Sequence, residues 1–205
     1  MSNRSKKLIL AALKKAPDKV NVSKVKSAVK EVSLPDAMQR AQRLLGEVKL
    51  EERRPAFFEG FAYIPLKSKI AFGEDGKLYG DRFTSTAFFY GAKRLYVYAR
   101  TMCYDTDLQE ETFADFRYQD VIGVELNKTL TPYLIYTKKS EKEHVKNPSA
   151  PLQDESTGIA VPVIKIILRT RAGERAYYLN GDADNAGAVE AFVKELRAVI
   201  DAKLS

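Results

Sequence analysis

Hydrophobic positions along this chain change their period twice, from helical to alternating and back to helical. Leu8, Ile9, Ala12, Leu13 and Ala16 recur at helical spacing and predict a short helix that Pro17 and Asp18 end. Val22, Val25, Val29 and Val32 predict a second helix, with β structure as the alternative because valine is a mediocre helix former. Ser33, Pro35 and Asp36 make a start signature for a third, since a hydroxyl and a carboxylate suit the free N–H groups of a first turn. That helix carries Ala37, Met38, Ala41, Leu44 and Leu45 inward and stops near Gly46.

Alternation then takes over. Phe83 to Tyr90, Arg94 to Tyr104, Glu110 to Phe116, Val121 to Leu126, Tyr133 to Lys138, Val163 to Thr170 and Arg175 to Leu179 each read as strands by aromatic and β-branched content. Their connections are mostly short and polar, which predicts antiparallel hairpins rather than crossover helices. On the second strand Leu95, Val97 and Ala99 share one face, and Tyr96, Tyr98 and Arg100 the other. Val189, Phe192, Val193, Leu196, Val199 and Ile200 return to helical spacing, with Asp182 and Asp184 placed to complement the first turn. The expected fold is therefore α+β: a partly open antiparallel barrel of seven strands, covered at one end by a C-terminal helix and preceded by a basic, mainly helical segment.

Charge adds one asymmetry. The net charge is +7, and residues 1–50 hold 12 Lys and Arg against 4 Asp and Glu, which leaves 22 against 23 for the rest. Such a segment suits a polyanion or an acidic partner, although a basic solvated surface has the same composition. One cysteine and one histidine exclude an internal disulfide and any Cys/His zinc spacing. The run LILAAL, flanked by lysines, is too short for a membrane span or a secretory signal, so the expected location is cytoplasmic.

Other constellations lead to little chemistry. Asp105, Asp107, Glu110, Glu111 and Asp115 lack the spacing and the turn glycine of a calcium loop, and read as a solvated hairpin tip. His144 sits in a polar insertion with two prolines, without the fixed partner a catalytic base needs. GEDG at residues 73–76 is a turn, and no phosphate-binding glycine loop exists in the chain. No cofactor, no small-molecule substrate and no enzymatic activity are expected.

Two resemblances follow from these residues. The N-terminal helices, followed by KLEERR and the extended GFAYIPL, resemble a winged helix-turn-helix domain, although Glu31 and Val32 stand where a turn glycine is usual. That resemblance implies a reading helix whose outward Gln39, Arg40, Gln42 and Arg43 meet base edges and phosphates. The alternative is a helical cap docked on the rest of the protein. GAKRLYVY entering the second strand, YQDVIGVE at Tyr118 to Glu125 and the final helix resemble the bacterial pleckstrin-homology-like domains over about residues 80–205. In that family the turn before Leu95 and the strand after Tyr118 are structural, and inositol phosphates are held by basic residues on a long loop between the first two strands.

Placed on the strands above, that loop is residues 91–93, and Lys93, Arg94 and Arg100 could touch a phosphate, but too few donors converge for a cradle. The expected organisation is a basic segment 1–54, a connecting segment 55–80 and the barrel 81–205. The expected work is that of a non-catalytic adaptor or self-association module, with a protein or a second copy as partner and Tyr96, Tyr98, Tyr177 and Tyr178 as outward interface aromatics. A DNA-binding regulator is the first rival. A peripheral module that lays Lys6, Lys7, Lys14 and Lys15 on anionic lipid is the second.

Overall fold

A computed structural model describes residues 23, 25, 35–64, 70–72, 75, 77–104, 109–134, 158–179 and 183–205 of the chain. Helix α1 spans Pro35–Leu45. Proline at its first position costs no hydrogen bond, and Gly46 ends it at φ 57, the left-handed conformation that glycine adopts without strain. Pro35 and Gly46 thus bound the helix where the sequence places it, and Ser33 lies outside the described residues. Its inward face is Ala37, Ala41 and Leu45, whereas Leu44, expected inward, is 51% exposed. Leu44 lies one residue off the stripe that touches the sheet.

Three antiparallel sheets follow. β1 (Ala56–Phe61), β4 (Arg82–Tyr90), β5 (Arg94–Cys103) and β6 (Gln109–Arg117) pair in that order, with the hairpin of β2 (Ile70–Phe72) and β3 (Leu78–Gly80) inserted between β1 and β4. A single 3₁₀ turn, Tyr118–Asp120, leads into β7 (Val121–Leu134), which pairs with β8 (Gly158–Thr170) and through it with β9 (Gly173–Leu179). Helix α2, Ala183–Leu204, follows. The sheets do not join into a closed barrel.

Two features of the expected strand plan are corrected. The fourth and fifth expected strands are one strand, because Asn127 to Thr131 stay in register with β8 (Thr129 opposite Val163, Leu130 opposite Pro162) despite their polar side chains. The expected first strand, Phe83 to Tyr90, is the second of its sheet, since Ala56–Phe61 pairs along its outer side from Ala56 opposite Phe88 to Phe61 opposite Phe83. Residues 56–61, 70–72 and 78–80 therefore contribute strands, and the hairpin of β4 and β5 is the middle of a sheet rather than its first wall.

Gly91 shows why that central hairpin turns where it does. Its N–H donates to the Arg94 carbonyl at 2.9 Å, and a Cβ there would lie 3.2 Å from the same oxygen and 2.8 Å from the Tyr96 ring. Only glycine lets the chain turn that tightly under the tyrosine.

The main core lies between the two large sheets and α2. Phe58, Phe88, Leu95 and Val97 come from the first sheet, Val124, Ile166, Leu168 and Tyr177 from the second, and Val189, Phe192, Val193, Leu196, Val199 and Ile200 from α2. Arg197 fixes the helix to β7 by donating from Nε and Nη2 to the Val124 carbonyl at 2.9 and 2.7 Å. A smaller cluster joins Tyr63 and Ile70 to Val161 and Val163, so the inserted segment covers the outer face of the second sheet. Among the described residues, no helix is long and apolar enough to cross a membrane.

The hydroxyls of Tyr90, Tyr118 and Tyr177 are buried in this core without a hydrogen-bond partner among the described residues. Burial pushes Tyr118 and Tyr177 up to about 12 and raises Tyr90 as well. A raised folded-state value means that the fold favours the neutral phenol. The stability this confers is intact below pH 10.0, the ordinary value, and is lost as pH climbs through about 12. The melting temperature is therefore expected to drop across that window, with phenolate absorbance rising together with loss of circular dichroism. Complete titration of all tyrosines in a chain that keeps its dichroism would contradict this.

Candidate functional site

The face of the four-stranded sheet that turns away from the main core brings together Arg40, Arg94, Tyr96 and Tyr98 of the residues singled out from the sequence. Alternation along each strand and the antiparallel register arrange it in rows. Phe57 lies opposite Ala87, Ala87 opposite Tyr98 and Tyr98 opposite Phe113; the next row runs Glu59, Ser85, Arg100 and Glu111. α1 lies over the first row, where Ala37 and Ala41 are small enough to let the helix approach Ala87, Phe89 and Tyr98 closely.

Glu111 is the hub of this face. One carboxylate oxygen accepts from the Tyr98 hydroxyl at 2.8 Å and the other from Arg40 Nη1 at 3.1 Å, so a single side chain on β6 holds both a buried phenol and the helix. Burial, followed by the Glu111 carboxylate, raises the Tyr98 phenol above its ordinary value. Arg100, 6% exposed and opposite Glu111 in the register, donates from Nη2 to Gln109 Oε1 at 3.1 Å. A buried guanidinium needs such partners, because removing a charge from water is costly unless it is paired. Nearer the hairpin turn, Arg94 pairs with Asp115, and the Tyr96 and Phe113 rings stack at 6.2 Å and 20°.

Glu111→Ala is expected to lower stability by about 1–2 kcal/mol, since it leaves the Tyr98 hydroxyl buried without its acceptor and removes the ion pair between Glu111 and Arg40. Glu111→Gln, which keeps an acceptor for Tyr98, should recover most of that loss in urea unfolding. Equal loss in the two variants would show that the hydroxyl gains nothing from position 111.

The sequence-selected residues divide clearly. Gln39, Gln42 and Arg43 are exposed on α1 as expected, and Arg40 is bound to Glu111. Lys93 is exposed at the β4–β5 turn, with Arg94 beside it in its pair with Asp115. Tyr98 and Tyr177, expected to face outward, are buried at 0% and 6% exposure. α1 covers the first, and the second points between the sheets, where its ring meets Phe88 at 5.9 Å. Tyr96 and Tyr178 are half-buried, Tyr178 against the cluster around Tyr63 and Ile70. Lys6, Lys7, Lys14, Lys15, Asp105, Asp107 and His144 lie outside the described residues.

Sequence reading assigned Glu111 to a solvated tip and missed its role. The signal was present in the alternation: once Tyr98 and Arg100 share a face, an antiparallel neighbour must set Glu111 and Phe113 beside them. Among the described residues, no group of three or more His, Cys, Asp or Glu side chains is placed to hold a metal ion. Comparison of the chain with protein-family models, with curated proteins and with solved structures gave no match.

Proposed function

We propose that this protein is a non-catalytic interaction module, an adaptor or a self-associating unit, built on a pleckstrin-homology-like pair of sheets. The observation that carries this reading is the docking of α1: its apolar side is spent on the sheet through Ala37, Ala41 and Leu45, and Arg40 is tied to Glu111. A helix held in this way extends the face of a sheet. The pleckstrin-homology-like reading rests on the order of elements, an antiparallel meander of β1, β4, β5 and β6, a second of β7, β8 and β9, and a helix that fills the core between them.

Against a DNA-reading role stand the carboxylates next to the proposed reading helix. Glu111 binds Arg40 directly, and Asp115 is exposed on the same face of that strand, so a phosphate approaching Arg40 would meet negative charge. Labelled duplex DNA titrated with the whole chain at low and moderate salt tests this. Absent or salt-insensitive binding is expected; steeply salt-dependent binding that is lost on Arg40→Ala with Arg43→Ala would make the protein a DNA-binding regulator instead.

A second reading, an anionic membrane surface, gains from one observation. With Ala56–Phe61 as the first strand, the connection to the second strand of the meander is residues 62–81 rather than 91–93, and Lys77 and Arg82 lie on it or next to it. Co-sedimentation with vesicles containing anionic lipid, absent with neutral ones, would favour that reading.

A further inference from the structure

Among the described strands of the two large sheets, β7 and β1 carry features that discourage further pairing at their outer edges. β7 has an irregularity in its register between Val121 and Gly123, contains Pro132, and has α2 packed along it. β1 has Gly60 at φ 149 and lies against β9, the outer strand of the second sheet. β6 differs from them. Its register with β5 is unbroken from Arg94 opposite Arg117 to Met102 opposite Gln109, and its sequence QEETFADFR has no proline, glycine or lysine. Glu110, Glu111, Thr112, Asp115 and Arg117 are all exposed, and no described strand pairs with its outer edge. Regular, open edges of this kind are templates for another strand.

We propose that β6 pairs antiparallel with β6 of a second copy across a two-fold axis through Ala114, joining two four-stranded sheets into one of eight strands. This rests on the interaction-module reading and names its partner and surface.

Charge selects both the partner and the register. In antiparallel pairing about a two-fold axis the faces are preserved, so odd-numbered residues meet odd-numbered ones and the axis passes through a single residue. With the axis at Ala114, Arg117 lies opposite the copy's Glu111, and the reverse pair repeats on the other side. Asp115 then meets the copy's Phe113, and Phe116 the copy's Thr112. Moving the axis to Phe113 sets Glu111 against the copy's Asp115 twice, and moving it to Asp115 sets that residue against itself, which like charges oppose. An axis at Thr112 leaves Arg117 beyond the copy's strand.

Alanine at the axis is also the smallest side chain of β6. Among the described residues α1 packs on that face chiefly against β4 and β5, which leaves the outer edge of β6 uncovered by it.

Sedimentation velocity of the full chain over a range of concentrations tests this, together with two variants. Dimers are expected, and Arg117→Glu should weaken association about tenfold or more, because the substitution, present in both copies, turns two attractive pairs into two repulsive ones. Ala114→Cys is expected to give a covalent dimer on mild oxidation, whereas Thr112→Cys, which faces the copy's Phe116, is not; the native Cys103 is buried.

A chain that stays monomeric at all concentrations overturns the proposal, as does a dimer indifferent to Arg117→Glu whose Ala114→Cys form does not cross-link. Neither result would revive DNA binding, so the failure of this inference is separable from failure of the broader reading.

Discussion

Phe88→Ala is expected to destabilise the protein by about 3–5 kcal/mol, the range for deleting a large aromatic from a packed core. Phe88 is fully buried, and its ring meets Phe58 at 6.3 Å, Tyr177 at 5.9 Å and Phe192 at 4.6 Å. Those three neighbours belong to β1, β9 and α2, so one side chain on β4 touches both large sheets and the helix that fills the space between them. None can close over the gap without leaving contacts of its own, and the edge-on packing with Phe58 and Tyr177 is lost together with the area. Urea unfolding should show a lower midpoint with an unchanged slope. A loss of about 1 kcal/mol or less would mean that the sheets collapse around the site, and that the core is far softer than its packing implies.

The second large effect is expected from the C-terminal helix. A chain ending at Asn185 lacks Val189, Phe192, Val193, Leu196, Val199 and Ile200, all of them buried in the main core. Each such side chain contributes about 1.5–3 kcal/mol when fully buried, so their sum meets or exceeds the roughly 5–15 kcal/mol by which domains are stable. The shortened chain should lose its cooperative transition and expose apolar surface to a hydrophobic dye.

A chain ending at Ala202 is the control. It gives up only exposed residues and the ion pair of Lys203 with Glu51, and its stability should change by no more than about 1 kcal/mol. A sharp transition retained by the shorter chain would show that the two sheets make a sufficient core by themselves.

Much of this fold can be read from residue spacing. Pro35 and Gly46 mark α1, the alternation from Arg94 onward gives β5 and β6, and the stripe from Val189 to Ile200 gives α2, because each pattern reports directly which side of a local element is buried. What failed depended on neighbours distant in the chain. AFFEGF does not alternate cleanly, and it becomes a strand because Arg82–Tyr90 offers it a free edge. NKTLT reads as a break, yet its register with Val161 to Lys165 of β8 holds it extended.

The face assignments failed for the same reason. Alternation separates Tyr98 from Leu95 and Val97 correctly, but it cannot tell that both faces are covered, one by α2 and the other by α1. Glu111 shows that limit most clearly. Its neighbours in the chain are a glutamate and a threonine, which suggests a solvated turn, whereas its partners Arg40 and Tyr98 are 71 and 13 residues away.

The position of α2 at the end of the described elements also bears on how the chain is made. Synthesis runs from the N-terminus, and both large sheets can emerge from the ribosome before the residues that seal them. Until Ile200 has cleared the exit tunnel, Phe58, Phe88, Ile166 and Leu168 lack the helix they pack against, so a nascent chain that has emerged only through β9 exposes that apolar surface. The outer edge of β6, unpaired among the described strands, is already present at that stage. The interval between the last strand and the last helical turn is thus the period in which this protein most needs protection from its own copies.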